Sequence, residues 1–290
     1  MRALVGSLLF VAACGFNPSG QGTGDDGGAE DGASEDAAAP DGAPPTIDAA
    51  PTPIDAAMPI DAATPIDAPA PDPFCTDTGL QACFRMNHGS GAPVDGHSPP
   101  LGSVRADGAN YLPGCANRGT ALDLGAGVFV RTAEPANHTG EFTVSAWVKL
   151  DGPLPPVGSE RRFWFDAQDE WGLSYTPQAG GSVSVQCLVV LDNDDVDTAT
   201  ATLVNATSWH HVACSFDADH LRLFLDGVKV DDTNTANEPL LNVTTNGVQV
   251  GRDGIDQAGG FVDGLIDDVR LWNRRVPDGE IAAAAATGCL

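Results

Sequence analysis

Clustered carboxylates are the residues of this sequence best suited to bind a metal ion. Four of them fall within residues 192–197, and calcium takes oxygen ligands of this kind from flexible loops. The EF-hand pattern is not met, because Val196 occupies its fifth position and Asp197 stands where it requires glycine. The four carboxylates are those of Asp192, Asp194, Asp195 and Asp197. They predict either a calcium site or a solvated acidic loop.

A second acidic group surrounds the start of the last predicted strand. Asp253, Asp256 and Asp263 precede that strand, and Asp267 lies within it. Strict alternation places Asp267 on one face with three apolar residues. These are Leu265, Val269 and Leu271. A carboxylate on such a face is buried and must be hydrogen-bonded, paired or metal-bound. The group therefore predicts a second calcium site, or backbone amides as the partners of Asp267.

One tryptophan is placed between two polar side chains in a pattern that suits sugar binding. In residues 162–166, alternation puts Arg162, Trp164 and Asp166 on one face and two phenylalanines on the other. The C–H face of a sugar packs on a flat aromatic ring, and the flanking charges can bind its hydroxyls. The sequence predicts a sugar-binding platform here, or simply a tryptophan at the rim of the domain.

The sequence does not carry the residue patterns of the common hydrolases. A retaining glycosidase needs two carboxyl groups about 5–5.5 Å apart. The nearest acidic run, 166–170, lies between two predicted strands and lacks a pair of glutamates. His210 and His211 lie in mid-strand, and no G-x-S-x-G elbow occurs. We therefore expect a protein that is not an enzyme, with a glycoside hydrolase as the alternative.

The amino terminus reads as an export signal. Residues 3–13 are apolar apart from Ser7 and too few to span a bilayer. Residues 11–14 (VAAC) resemble the lipobox of bacterial lipoproteins. The resemblance implies cleavage before Cys14 and lipidation of its thiol, with an ordinary secretory signal as the alternative. Gly15 follows the cysteine. We therefore expect a bacterial cell-envelope protein that is anchored by lipid in the outer membrane and displayed at the surface.

The other six cysteines suit such an exported chain. An even number of cysteines in an oxidising compartment predicts up to three disulfides, for which 15 pairings exist. The absence of any C-x-x-C motif argues against zinc. The six are Cys75, Cys83, Cys115, Cys187, Cys214 and Cys289, and the sequence alone leaves their pairing open.

Residues 14–73 have the composition of a disordered tether. Residues 17–73 contain no aromatic residue, and an Ile-Asp-Ala unit recurs at 47–49, 54–56, 60–62 and 66–68. Regularly spaced prolines stop helices and disfavour sheets. Fully extended, such a polyproline-II-like segment reaches up to roughly 180 Å. The sequence therefore divides into a signal peptide (1–13), an acidic linker (14–73) and a globular head (74–290).

The charge of the chain narrows its partners. It carries 40 acidic and 14 basic residues, for a net charge of −26. Binding to phosphate backbones requires a basic surface, so nucleic acid is excluded as a partner, and docking on anionic lipid is disfavoured. Divalent cations and neutral or cationic ligands remain compatible with this charge.

The head reads as an all-β domain. Twelve short segments between residues 81 and 272 alternate apolar and polar side chains and are separated by turn residues. Asp226-Gly227 is a strong hairpin signal. Only residues 278–287 read as a helix, with Asp278 as its N-cap. This pattern predicts a two-sheet antiparallel jelly-roll sandwich.

Five segments of the head resemble the laminin-G-like, concanavalin-A-like jelly rolls. In chain order they are 120–124 (TALDL), 142–149 (FTVSAWVK), 209–217 (WHHVACSFD), 221–227 (LRLFLDG) and 261–272 (FVDGLIDDVRLW). The resemblance implies a curved two-sheet fold that binds glycans or proteins, sometimes with calcium at its rim. It also implies that Trp147, Trp209 and Trp272 pack in the core. It suggests that Cys187 and Cys214 are sheet neighbours joined by a disulfide. One arrangement of the other four cysteines then joins Cys75 to Cys83 and Cys115 to Cys289.

Taken together, these features predict a lipid-anchored envelope protein whose head binds a glycan or an extracellular protein non-covalently. The alternatives are an enzyme that cleaves glycans and a structural surface protein without a discrete ligand. Calcium is the one cofactor that the residues suggest.

Overall fold

The computed structural model describes residues 73–87, 89–97, 108–132, 140–241, 247–254 and 260–288. All of them belong to one compact unit, Ala63–Leu290. The predicted signal peptide, Cys14, nearly all of the linker, Asp256 and Cys289 lie outside these ranges.

The described residues form fourteen strands, and every pairing between strands is antiparallel. Sheet A comprises β1 (Leu80–Phe84), β2 (Asn110–Pro113), β3 (Thr120–Asp123), β5 (Phe142–Leu150), β10 (His210–Asp217), β11 (His220–Leu225), β12 (Val228–Asn234) and β14 (Gly264–Trp272). Sheet B comprises β4 (Val130–Arg131), β6 (Arg162–Ala167), β7 (Trp171–Pro177), β8 (Val183–Val190), β9 (Val196–Leu203) and β13 (Gln249–Val250).

The order of the strands is that of a jelly-roll sandwich, as the sequence predicted. Sheet A runs β12-β11-β10-β5-β14-β3-β2, and β1 also pairs with β14. Sheet B runs β4-β13-β6-β7-β8-β9. Neighbours such as β5 and β14 lie far apart in sequence, so the order of sheet A rests on long-range pairing.

The core lies between the two sheets and follows from alternation. Strand β8 buries every second residue, and β5 sends Val144, Ala146 and Val148 inward. Aromatic rings fill the centre, where Phe142 stacks on Trp171 with 4.5 Å between the ring centroids. Burial of so many large apolar side chains supplies the main driving force for folding.

A smaller apolar cluster covers part of the outer face of sheet A. Helix α1 (Asp278–Thr287) buries Ile281 there, beside Phe224 and Trp272. The helix has the predicted bounds, but Pro277 rather than Asp278 is its N-cap. Asp278 is the first helical residue and binds the Arg275 guanidinium at 2.9 Å.

Two predicted disulfides are confirmed. Cys75 is joined to Cys83, and Cys187 is joined to Cys214 with their Cα atoms 5.8 Å apart. The expectation that the second pair are sheet neighbours is wrong, because β8 and β10 belong to opposite sheets. Their inward side chains meet across the core instead. Cys115 is also disulfide-bonded, and its pairing with Cys289 stays a prediction.

Two β-bulges interrupt the alternation that the sequence suggested. In β6, Phe163 pairs with Ser174 and Phe165 with Leu173, which leaves one extra residue between them. In β14, three residue steps separate Asp267 from Arg270, against two on the facing strand β5. A bulge of this kind shifts every later side chain to the other face of its strand.

Candidate functional site

The predicted sugar platform around Trp164 does not exist. The β6 bulge turns Trp164 into the core together with Phe165, and its indole is fully buried at 4.8 Å from the Tyr175 ring. A buried ring cannot stack on a ligand. Arg162 is only half-buried, but it no longer flanks an exposed aromatic ring.

Asp166 has a structural partner in place of the predicted ligand. Its carboxyl accepts a hydrogen bond from the Gly254 amide at 2.8 Å. Burial raises the pKa of Asp166 to about 7, although that hydrogen bond acts in the opposite direction. This residue ties β6 to the loop after β13.

The acidic turn after β8 points its side chains to solvent. Asn193 donates to the Asp195 carboxylate at 2.9 Å, and the Asp195 amide donates back to the Asn193 side chain at 3.0 Å. Asp192, Asp194 and Asp195 are exposed, and Asp197 is half-buried. The described part of the chain contains no group of three or more His, Cys, Asp or Glu side chains placed to hold a metal ion. Calcium binding stays a prediction.

The second acidic group is not gathered around one point within the described residues. Asp253 is beside Arg252 and Arg161, and burial raises its pKa. Asp263 is close to Asp151, whose pKa rises through burial and through the charge of Asp263. Asp256 lies outside the described residues.

Asp267 is fully buried, as predicted, but its partners are backbone amides and it is not grouped with these aspartates. Its carboxyl accepts hydrogen bonds from the amides of Asp268, at 2.9 Å, and Cys115, at 3.5 Å. Burial and the neighbouring Asp268 charge raise its pKa to about 8. The predicted face was wrong, because the β14 bulge directs Val269 and Leu271 to the core while Asp267 faces outward. The loop that follows β2 covers it.

The outer face of sheet A carries a row of five side chains, four of them on strands and the fifth on the residue that precedes β10. Leu265 of β14 pairs with Lys149 of β5 on one side and with Asp123 of β3 on the other. Asp123 in turn pairs with Asn110 of β2, and Trp209 precedes the β10 residue that pairs beside Lys149. Trp209, Lys149, Leu265, Asp123 and Asn110 therefore form one row directed away from the core.

An open groove of about 420 Å³ lies over this row, and we call it the Trp209 groove. Its floor contains Lys149 and Leu265, and Trp209 stands at one side. Its lining residues are Leu112, Pro113, Gly114, Ala116, Asn117, Lys149, Trp209 and Leu265. The indole of Trp209 and the side chain of Lys149 are each partly exposed. A groove with an aromatic side wall and a few polar groups is typical of small-ligand sites.

The opposite wall of the groove is a loop held in a defined shape. The Gly114 amide donates to the Gly119 carbonyl at 3.2 Å, and the Arg118 amide donates to the Cys115 carbonyl at 3.0 Å. Cys115 is also bound to Asp267 beneath it. Ala116 and Asn117 adopt left-handed conformations, with φ of 53° and 57°. Residues other than glycine rarely adopt this backbone conformation without support from their surroundings, so the wall is preorganised.

A second partly exposed tryptophan lies next to the groove on the same face. Trp147 of β5 pairs with His211 of β10, and their rings meet edge to face with centroids 5.5 Å apart. His211 is buried, and burial together with the Arg270 charge lowers its pKa to about 4. The neutral imidazole thus packs against the Trp147 ring without adding charge to the site.

The sequence interpretation was wrong for three tryptophans, because it placed Trp147 and Trp209 in the core and Trp164 at the surface. Trp272 is buried, as the resemblance implied. The chain has five, and all of them are described. Trp164, Trp171 and Trp272 are buried, whereas Trp147 and Trp209 are partly exposed. Alternation could have identified Trp209 as a surface residue. In β10, Val212, Cys214 and Phe216 face the core, and Trp209 lies three residues before Val212, so its side chain points to the opposite face.

Two antiparallel sheets of this order, with a groove on the outer face of one, define a lectin-type β-sandwich. The chain belongs to the concanavalin A-like lectin/glucanases superfamily, whose laminin-G family model matches residues 124–282, more than half of the sequence. No curated protein matches the sequence. No helix among the described residues is long and apolar enough to cross a membrane.

Solved structures share this fold at low sequence identity. One is domain 4 of AbnA, a GH43 extracellular arabinanase from Geobacillus stearothermophilus in complex with arabinotriose, at 16% identity and TM-score 0.52, covering 71% of this chain and 98% of that domain. Another is the binding domain of botulinum neurotoxin DC. Its complex with SialylT matches at 11% identity and TM-score 0.56, covering 72% of this chain and 52% of the neighbour. Its complex with rat synaptotagmin II matches at 11% and TM-score 0.54, with 72% and 51% covered. The chain therefore spans about half the length of the toxin domains.

Proposed function

We propose that this protein binds a glycan non-covalently in the Trp209 groove. The observation that carries the proposal is the partly exposed Trp209 indole beside Lys149, facing a preorganised wall that ends in the exposed Asn117. A sugar packs its C–H face on the indole, while the ammonium and amide groups bind its hydroxyls. The carbohydrates bound by the arabinanase domain and by the toxin domain support a sugar as the ligand class.

We expect binding without catalysis. None of the groove's lining residues is an aspartate or glutamate, so the pair of carboxyl groups that glycoside hydrolysis requires has no place there. A glycan-cleaving enzyme on the same fold is the alternative, and release of reducing sugar from an array-positive polysaccharide would favour it. A protein ligand is the other alternative, since the toxin domain also binds synaptotagmin II.

The proposed setting is the bacterial cell envelope. Lipid on Cys14 would hold the chain at the outer membrane, and residues 14–73, with twelve acidic and no basic residues, would act as a self-repelling tether. A binding head on a long tether reaches ligands away from its own membrane.

A glycan array tests the proposal. The full chain should bind a defined set of glycans, and Trp209→Ala should weaken that binding roughly tenfold or more, because buried aromatic contacts dominate binding energy. Trp209→Phe keeps an aromatic ring and should retain part of the affinity. Val204→Ala, at an exposed position outside the groove, is the control. Unchanged binding by Trp209→Ala would place the ligand elsewhere.

A further inference from the structure

Lys149 is the charged residue of the Trp209 groove, and it has no carboxylate partner in the described structure. The other lining residues are apolar or neutral. Among the described residues, no aspartate or glutamate lies within 4 Å of the Lys149 ammonium, although most other basic side chains near sheet A form ion pairs, such as Arg222 with Asp217 at 2.8 Å and Lys229 with Asp232 at 2.7 Å. Lys149 thus offers, on the floor of the groove, an ammonium group without a direct contact to a described carboxylate.

The acidic side chains around Lys149 have other interactions. Asp267, two residues after Leu265 on β14, is buried and accepts hydrogen bonds from the amides of Asp268 and Cys115. Asp123 is separated from Lys149 by Leu265, two strand spacings or about 10 Å along the row. The Asp123 carboxylate accepts hydrogen bonds from the Gly125 amide at 2.8 Å and the Asn110 side chain at 3.2 Å. The pKa of Asp151 is raised by burial and by the charges of Asp263 and Asp123, and the charge of Lys149 acts in the opposite direction. At a distance of about 10 Å the charge of Asp123 is largely screened in physiological salt.

Trp209 and Lys149 lie at the end of the row away from Asp123. The pairing of the neighbouring residues His210 and Val148 sets Trp209 beside Lys149 across β10 and β5. A sugar ring stacked on the indole therefore presents its substituents to the ammonium group, with Asn117 on the far wall. A carboxylate substituent at this point would form a charge-assisted hydrogen bond, which is stronger than one from a hydroxyl.

We infer that the Trp209 groove selects glycans that carry a carboxylate, such as uronic acid or sialic acid residues, and that Lys149 determines this selectivity. The inference rests on the proposed glycan-binding function and names its ligand class. Such selectivity has to be local to the groove, because the net charge of −26 repels carboxylated polymers from the rest of the protein. Physiological salt screens that repulsion beyond about 8 Å.

The test compares matched pairs of ligands on the full chain by titration calorimetry in 0.15 M NaCl. Oligogalacturonides are paired with their carboxyl-reduced, neutral forms, and sialyllactose is paired with its neutral carboxamide. The two pairs distinguish uronate from sialate as the source of the carboxylate. We expect a preference of roughly tenfold or more for the acidic member of at least one pair. Equal affinity within both pairs would overturn the inference while leaving glycan binding intact. Binding of no glycan would overturn the proposed function itself.

Variants of Lys149 separate its charge from its shape. Lys149→Gln should abolish the preference for acidic over neutral ligands, and Lys149→Arg should preserve that preference. Trp209→Ala should weaken both members of a pair, since the indole contacts the ring rather than the carboxylate. A preference that survives in Lys149→Gln would assign the selectivity to another residue and overturn the role of Lys149.

Discussion

At the scale of single residues, the buried carboxyl of Asp267 connects the groove to the interior of the head. It lies beneath the wall loop and holds the Cys115 amide, and its pKa is raised to about 8 by burial and by the Asp268 charge. The neutral acid is therefore the form that the fold accommodates at neutral pH. Ionisation would place an uncompensated charge under the groove.

This residue makes the stability of the head depend on pH. The folded pKa of Asp267 exceeds its unfolded value of 3.8, so its contribution is complete below about pH 4 and is lost as the pH rises towards 8. The limiting slope is about 1.4 kcal/mol per pH unit. Buried His211 acts in the opposite direction, since its lowered pKa costs stability as the pH falls from 6.5 to about 4.

The variant Asp267→Asn isolates the contribution of this carboxyl to the pH dependence of stability. Thermal melts of the variant and the parent between pH 6.5 and 8.5 avoid the histidine range, and the parent should lose stability with rising pH more steeply than the variant. Asp166, whose pKa is raised to about 7, remains in both proteins and cancels in the difference. Parallel pH profiles would mean that Asp267 is ionised in the folded protein.

At the scale of elements, the hairpin between β11 and β12 shows how local turn chemistry and long-range packing combine. Asp226 and Gly227 have φ of 50° and 78°, which only a turn of the type favoured by Asp-Gly accepts. Gly227 also lies against α1: a Cβ atom there would approach the Ala285 Cβ to 2.8 Å and the Ala282 Cα to 3.0 Å. The turn thus helps to seat the helix.

Gly227→Ala should destabilise the head by about 1–3 kcal/mol, through the backbone conformation and the contact with α1 together. Gly180→Ala is the matched control, because Gly180 has φ of 79° but nothing within 4 Å of its added Cβ. The excess loss at position 227, measured by chemical denaturation, reports the helix contact. Equal losses of stability at the two sites would show that the contact between the added Cβ atom and α1 does not destabilise the head.

At the scale of the whole molecule, the proposed lipid anchor and tether would determine where the head works. Replacing Cys14 by Ser should prevent lipidation and cleavage before residue 14, because the thiol is the acceptor of the lipid. Labelling with radioactive palmitate and fractionation of membranes provide the measurement. Normal labelling of this variant would refute the anchor, and the protein would then be an ordinary secreted one.

Calcium binding would stabilise the whole head, and thermal melting can test for it. With 1 mM calcium and a dissociation constant near 10 µM, a site in the folded state would add about 2.7 kcal/mol of stability. For a domain of this size the melting midpoint should rise by roughly 2–4 °C per kcal/mol. Melts of the full chain in EDTA, calcium, magnesium and matched sodium decide it. Equal midpoints would leave the acidic groups as solubility features.

The sequence by itself determined the class of the fold and most of its elements. Alternation with turn residues identifies strands because the period of two is a local property of an extended chain, and α1 (Asp278–Thr287) follows from its alanines. Strand β2 (Asn110–Pro113) escaped prediction, because it is a short edge strand with three exposed residues and a proline. The Cys187–Cys214 disulfide was anticipated, but its position across the two sheets was not.

Only the tertiary structure decided which aromatic side chains line the Trp209 groove and which acidic side chains are buried. The bulges in β6 and β14 depend on pairing with distant strands, and each reversed the predicted face of its strand, burying Trp164 and redirecting Asp267. The groove arises from β2, β5, β14 and the residue before β10, which are neighbours only through long-range pairing. Periodicity specifies which residues share a face, but the register of pairing determines where a face begins and what lies beside it.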